Sequence, residues 1–167
     1  MSHIPIHTLA DDARVWVFGA NAPLTDAQKR AARETIAAYL VDWNSHGDDI
    51  PAAVDVLGDR FVVVAADRRA VSGGCSVDRM YRQIRALKES VGADLLDTTL
   101  VFWRENGSVR SASRAEFRRL AEAGEVDAAT VVVDTTAETL GAIRSGAWEK
   151  PAAAAWHADA FPLRKVN

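Results

Sequence analysis

The sequence predicts an α+β chain that opens with a ferredoxin-like β-α-β-β-α-β antiparallel sheet and closes with a small β-hairpin/α/β extension and an aromatic tail. Three observations carry this. Short runs rich in β-branched and aromatic residues recur at 14–20, 52–66 and 98–104, and between them lie two segments of helical period, 25–45 and 76–91. Turn residues separate the elements, and a second hairpin signal follows at Asn106-Gly107. The expected division is a domain over 1–104 and an extension with its tail over 105–167, the tail packed on the body.

Arg14 to Ala20 (RVWVFGA) alternates as a half-buried strand does and stops at Asn21 and Pro23. Thr25 stands three residues before Gln28, the spacing of a capping box. Ala32, Ile36, Tyr39, Leu40 and Trp43 then recur at helical intervals up to a stop at His46-Gly47. Residues 52–57 and 60–66 read as two strands joined by a tight Gly58-Asp59 turn, the second almost wholly apolar. Ser76 to Val91 is a helix with Val77, Met80, Tyr81, Ile84, Leu87 and Val91 on one side, and TTLVFWR at 98–104 supplies the fourth strand. Both helices are expected on one face of that sheet.

In the extension, Ser113 with Glu116 has capping-box spacing, Phe117, Leu120 and Ala121 form a short helix ended by Gly124, and Thr130 to Asp134 is a strand. The tail carries Trp148, Trp156 and Phe161, which are costly to leave in water, so it is expected to lie against the rest of the protein.

Bulk properties narrow the function classes. The chain has 167 residues, 49% hydrophobic and 26% charged, with a net charge of -3, an ordinary globular balance. A weakly acidic, evenly mixed surface argues against nucleic-acid binding through phosphate neutralisation. Residues 1–10 lack a basic stretch followed by an apolar run, and no apolar stretch reaches the ~20 residues of a membrane span. With a single cysteine there is no internal disulfide, and a reducing cytoplasm is the expected setting. G-x-x-x-x-G-K-[ST] and G-x-G-x-x-G are both absent, which excludes a P-loop ATPase, and no cofactor motif is present. The histidines form no close pair of the H-E-x-x-H kind, and no metal site is expected.

The most informative stretch is Ser72-Gly73-Gly74-Cys75-Ser76-Val77-Asp78, which sets the lone thiol at a helix N-terminus. Unpaired N–H groups and the helix dipole favour negative charge there, so a thiolate or a bound anion is stabilised. The candidate catalytic set is Cys75 with His46 or His157 as base, and the candidate anion cradle is Gly73, Gly74, Ser76 and Arg79. Against both stands the reading of Cys75 as a small buried residue in a tight turn, which free cysteine favours as a residue type. Arg79, Arg82, Arg85 and Lys88 spread over the polar side of the helix as a solvated face, with a docking patch as the alternative.

Several pieces together, VWVFGANAPLT, Trp43 with His46-Gly47, Gly74 to Asp78, Phe117 to Gly124, Thr130 to Asp134, Trp148-Glu149 with Pro151, and Trp156-His157-Ala158, resemble a family of bacterial proteins often labelled "ABC transporter ATPase". The resemblance implies no established activity, and the ATPase of the label conflicts with the missing P-loop. Residues 99–150 are similar in pattern to small GYF-like interaction modules, without a Gly-Tyr-Phe element. Three readings follow: a non-catalytic binding or adaptor protein, a thiol-dependent enzyme or redox sensor, and a small-anion binder. The partner is accordingly an unknown protein or a small anionic ligand, with neither nucleic acid nor membrane.

Overall fold

A computed structural model describes residues 3–71 and 73–166. It is mixed α+β, with five α-helices and three antiparallel sheets among the described residues. The chain divides into two compact units, one of Met1–Asp97 with Thr136–Ser145 and one of Thr98–Thr135 with Gly146–Asn167. The division thus falls ahead of the expected 104/105, and a later segment returns to the first unit.

In the first unit β1 (Arg14–Gly19), β4 (Ala52–Leu57) and β5 (Phe61–Ala66) form a sheet in the order β1-β5-β4. Trp16 and Val54 both stand opposite Val64. Strand alternation splits the apolar residues between the two faces. Trp16, Phe18, Val54, Val56, Val62 and Val64 pack under α1 (Asp26–Leu40) and α2 (Gly74–Ser90), whose buried stripes are Ala32, Ile36, Leu40 and Ser76, Met80, Ile84, Leu87. Both helices therefore cover one face. Val15, Ala53, Val63 and Ala65 face the other way, onto Leu9, Ala13 and Leu140, the last from α4 (Leu140–Arg144).

Local chemistry sets the element ends. Thr25 and Gln28 form the reciprocal capping box of α1. This helix stops at Leu40, short of the expected His46-Gly47, because 44–49 turns into the small hairpin β2 (Asn44–Ser45) and β3 (Asp48–Asp49). His46 and Gly47 make its turn with φ of 54° and 90°. The β4–β5 connection is one residue longer than the expected Gly-Asp turn: buried Arg60 joins it and donates from Nη1 to the Ala20 carbonyl at 3.1 Å.

The largest departure concerns the strand expected at 98–104. It forms β6 (Leu100–Glu105), which joins a second sheet in the order β7-β6-β8-β9 and leaves the first sheet with three strands, short of the full ferredoxin-like set. The Asn106-Gly107 turn, with φ of 50° and 80°, pairs β6 with β7 (Ser108–Ser113) from Glu105↔Ser108 onward. Closing a two-residue loop costs far less entropy than pairing with β1 across most of the first unit. On its other side β6 meets β8 (Val131–Val133), which pairs with β9 (Glu149–Pro151).

The second unit has its own core of Val101, Trp103, Phe117, Ala121, Val126, Val132, Ala152 and Phe161, with Trp156 packed on it. α3 (Arg114–Ala123) is capped by the Ser113 hydroxyl, which accepts from the Glu116 amide, and ends at Gly124 with φ of 74°. The tail, with α5 (His157–Ala160), belongs to this core, and Trp148 is buried while Trp156 is half-buried. None of the described helices is long and apolar enough to cross a membrane.

Candidate functional site

The glycine turn opens α2. Gly73 is the N-cap residue in extended conformation with no side-chain cap, and Ser72 lies outside the described residues. Cys75 is exposed, which overturns its reading as a buried turn residue. The position buried in this first turn is instead Ser76, whose hydroxyl donates to the Gly73 carbonyl at 3.0 Å. Arg79 is also committed elsewhere, donating to the Asn44 carbonyl at 2.9 Å. Of the expected anion cradle, then, Ser76 turns its hydroxyl into the fold and Arg79, though exposed, is held on the backbone of β2.

Gly73 and Gly74 do line an open depression of about 370 Å³, together with Arg14, Val71, Val77 and Asp78. Its cation is Arg14, whose guanidinium lies 4.6 Å from the centre of the Trp16 ring. Sequence reasoning missed this residue, because an arginine opening a strand carries no signal of what stands across from it.

The two candidate bases separate. The β2–β3 hairpin packs on the start of α2, since the Trp43 indole N–H donates to the Ser76 carbonyl at 2.9 Å, and its turn brings exposed His46 beside Gly73. A Cβ placed on Gly73 would stand 3.4 Å from His46 Nε2. His157 belongs to the second unit, where it is 0% exposed. Its ring stacks on Trp156 at 3.9 Å and meets Phe117 edge-on at 6.1 Å, and neither ring nitrogen has a hydrogen-bond partner among the described residues. Burial lowers its pKa to about 4; the Asp134 carboxylate acts to raise it, and Arg114 and Lys150 lower it further. Enclosed in this way, His157 is removed from the candidate catalytic set, and His46 is the candidate base that stands beside Gly73, two residues before Cys75. Beneath the hairpin, burial raises the pKa of Tyr39, and nearby Arg79 acts against that rise.

A feature that no motif announced lies along β1. Its outer edge is fastened at one end, where the Val15 amide donates to the Glu138 carbonyl at 3.0 Å and Leu140 donates to Ala13 at 2.9 Å. At the other end Asn21 donates to the Asp94 carbonyl at 3.2 Å. Alternation makes the backbone groups of Val17 and Gly19 point the same way as those of Val15 and Asn21, and they have no hydrogen-bond partner among the described residues. In the split βαβ order this edge is the place of the fourth strand.

α2 runs above that edge. Val77 and Asp78 share the depression with Arg14, Tyr81 meets Phe18 edge-to-face at 5.4 Å, and Lys88 pairs at 3.5 Å with Asp94. Tyr81 and Lys88 are exposed, and so is Arg85 between them. Among the described residues no group of three or more His, Cys, Asp or Glu side chains is placed to hold a metal ion. The chain matches no protein-family model, no curated protein and no solved structure.

Proposed function

We propose that this chain is a non-catalytic binding protein that takes up an extended segment of a partner along the outer edge of β1. The observation that carries this reading is the pair Val17 and Gly19, whose outward backbone groups lack partners among the described residues between two fastened ends. Proteins normally blunt or cover such an edge, and recognition by strand addition uses one that is left open. Here the slot has defined limits, and its floor is a sheet buried on both faces. A cytoplasmic setting, where the exposed Cys75 thiol stays reduced, fits this role.

The test is to pan a random decapeptide display library against the immobilised protein. Wild type is expected to enrich binders that protect the Val17 and Gly19 amides from hydrogen exchange. Val17→Pro removes an outward N–H without breaking the β1–β5 ladder and is expected to lose them. No enrichment over an unrelated control protein, or binders that Val17→Pro retains, rejects the reading.

The second reading, a thiol-dependent enzyme or redox sensor, is favoured by exposed Cys75 lying two residues from Gly73, beside which His46 stands. There His46→Ala should slow alkylation of Cys75 by iodoacetamide at neutral pH, since an imidazole base raises the thiolate supply. An unchanged rate removes that role for His46. The small-anion reading rests on the depression beside Arg14 and predicts saturable phosphate binding that Arg14→Ala abolishes.

A further inference from the structure

We propose that the segment received at the β1 edge is acidic, with carboxylates on the side that faces α2. This deepens the edge-binding reading and rests on it. A strand added to β1 sends alternate side chains toward α2 and the others toward the opposite face, where Val17 packs with the cluster of Val15, Val63 and Leu140. The first set meets the exposed side of α2. Tyr81, Arg85 and Lys88 stand at i, i+4 and i+7, so they share that side.

Charge along the slot is uneven. At the Asn21 end Asp94 is paired with Lys88. At the other end Arg14 and Asp78 both line the depression, and the carbonyl of exposed Glu138 accepts the Val15 amide. Between Tyr81, which meets Phe18, and Lys88, which is held by Asp94, the cation on this side of α2 is Arg85, exposed and without an ion pair among the described residues. Arg82, also exposed and without an ion pair among them, adds positive charge alongside. A carboxylate laid under Arg85 gains a partner, whereas an ammonium there meets only like charge. The opposite face asks for apolar residues, so the pattern sought is acidic and apolar in alternation.

The experiment uses two synthetic peptides, one alternating valine with glutamate and one alternating valine with lysine, titrated against the full chain. The glutamate peptide is expected to bind about three- to tenfold more tightly at low ionic strength, the scale of one or two exposed ion pairs. The preference should shrink as salt exceeds ~0.15 M and reverse in Arg85→Glu. Protection of the Val17 and Gly19 amides on binding distinguishes the slot from adhesion elsewhere on the helix, and it is read on wild type with no variant needed.

Equal affinities, or a preference that Arg85→Glu leaves intact, overturn the acidic assignment while edge binding stands. If neither peptide binds and the library still yields edge binders, the acidic assignment falls alone. If neither assay yields binding, both fall. Concentration-dependent dimerisation that Val17→Pro abolishes makes a second copy of this chain the occupant and also overturns the proposal.

Discussion

The indole N–H of Trp43 donates to the carbonyl oxygen of Ser76 at 2.9 Å, and this bond fastens the β2–β3 hairpin to the first turn of α2. Trp43 is 1% exposed and meets Trp16 edge-on at 5.9 Å, so the bond is made inside the core. Trp43→Phe keeps an aromatic ring there but removes the donor, and since the Ser76 carbonyl still accepts the Met80 amide within α2, the loss is that of one buried hydrogen bond, about 0.5–1.5 kcal/mol. Urea unfolding of the variant is expected to show a lowered midpoint at unchanged slope, and an unchanged midpoint contradicts the assignment.

Cys75 offers a simpler check. Because its side chain is exposed, native protein should react fully with iodoacetamide at pH 8.5 without denaturant. Cys75→Ser should stay within about 0.5 kcal/mol of wild type, as exposed substitutions away from structural features do. A thiol that reacts only after denaturation would return this residue to the interior.

Two glycines should respond oppositely to alanine. A Cβ on Gly141 would stand 3.1 Å from Asp11 Cβ and 3.2 Å from the Asp11 carbonyl oxygen, which already accepts the Gly141 amide at 2.8 Å. Gly141→Ala must push the start of α4 off the N-terminal segment, a loss of about 1–3 kcal/mol. A Cβ on Gly74 meets nothing within 4 Å, and its backbone is helical. Gly74→Ala is therefore expected to be neutral or to stabilise by up to ~1 kcal/mol through the unfolded chain. Thermal melts of the pair decide this, and equal shifts in the same direction refute it.

How much of this was legible in the sequence depends on the range of the interaction concerned. Local patterns read true: the strands at 14–19, 52–57 and 61–66, the Thr25–Gln28 capping box and the Asn106-Gly107 turn all follow from neighbours a few residues apart, and the shared face of the two helices follows from the element order. The partner of residues 98–104 does not, because a period-two pattern states that a strand is half-buried and is silent about which sheet buries it. The return of Thr136–Ser145 to the first unit is equally long-range. Tyr81 falls outside the buried stripe to which its spacing assigned it, and of the two readings of Cys75 the buried one fails. The stripe of α2 that is buried runs through Ser76, Met80, Ile84 and Leu87, which turns Cys75 and Tyr81 outward. The preference of free cysteine for burial gives way here to the phase of the helix. The open edge of β1 had no signature at all, since it is defined by a strand that goes elsewhere.

Acid should weaken the second unit through His157. Above pH ~6.5 the ring is neutral in the folded and unfolded chain alike, and stability does not depend on it. Between there and about 4, the value to which burial lowers the folded ring, only the unfolded chain takes up the proton. Stability therefore falls as pH drops through this window, by about 1.4 kcal/mol per unit and roughly 3 kcal/mol in all, and the contribution is flat below it. Because neither ring nitrogen has a partner to lose, His157→Phe fills the space between Trp156 and Phe117 without orphaning any group. The variant should match or exceed wild type at pH 7.5 and lack this part of the slope between pH 6.5 and 4, the other histidines contributing equally to both chains. Chemical denaturation followed by tryptophan fluorescence across that range gives the two slopes. Parallel lines, or an imidazole carbon resonance of His157 that titrates near pH 6.5 in folded protein, would show that the ring is hydrated and that the packing described for it is wrong.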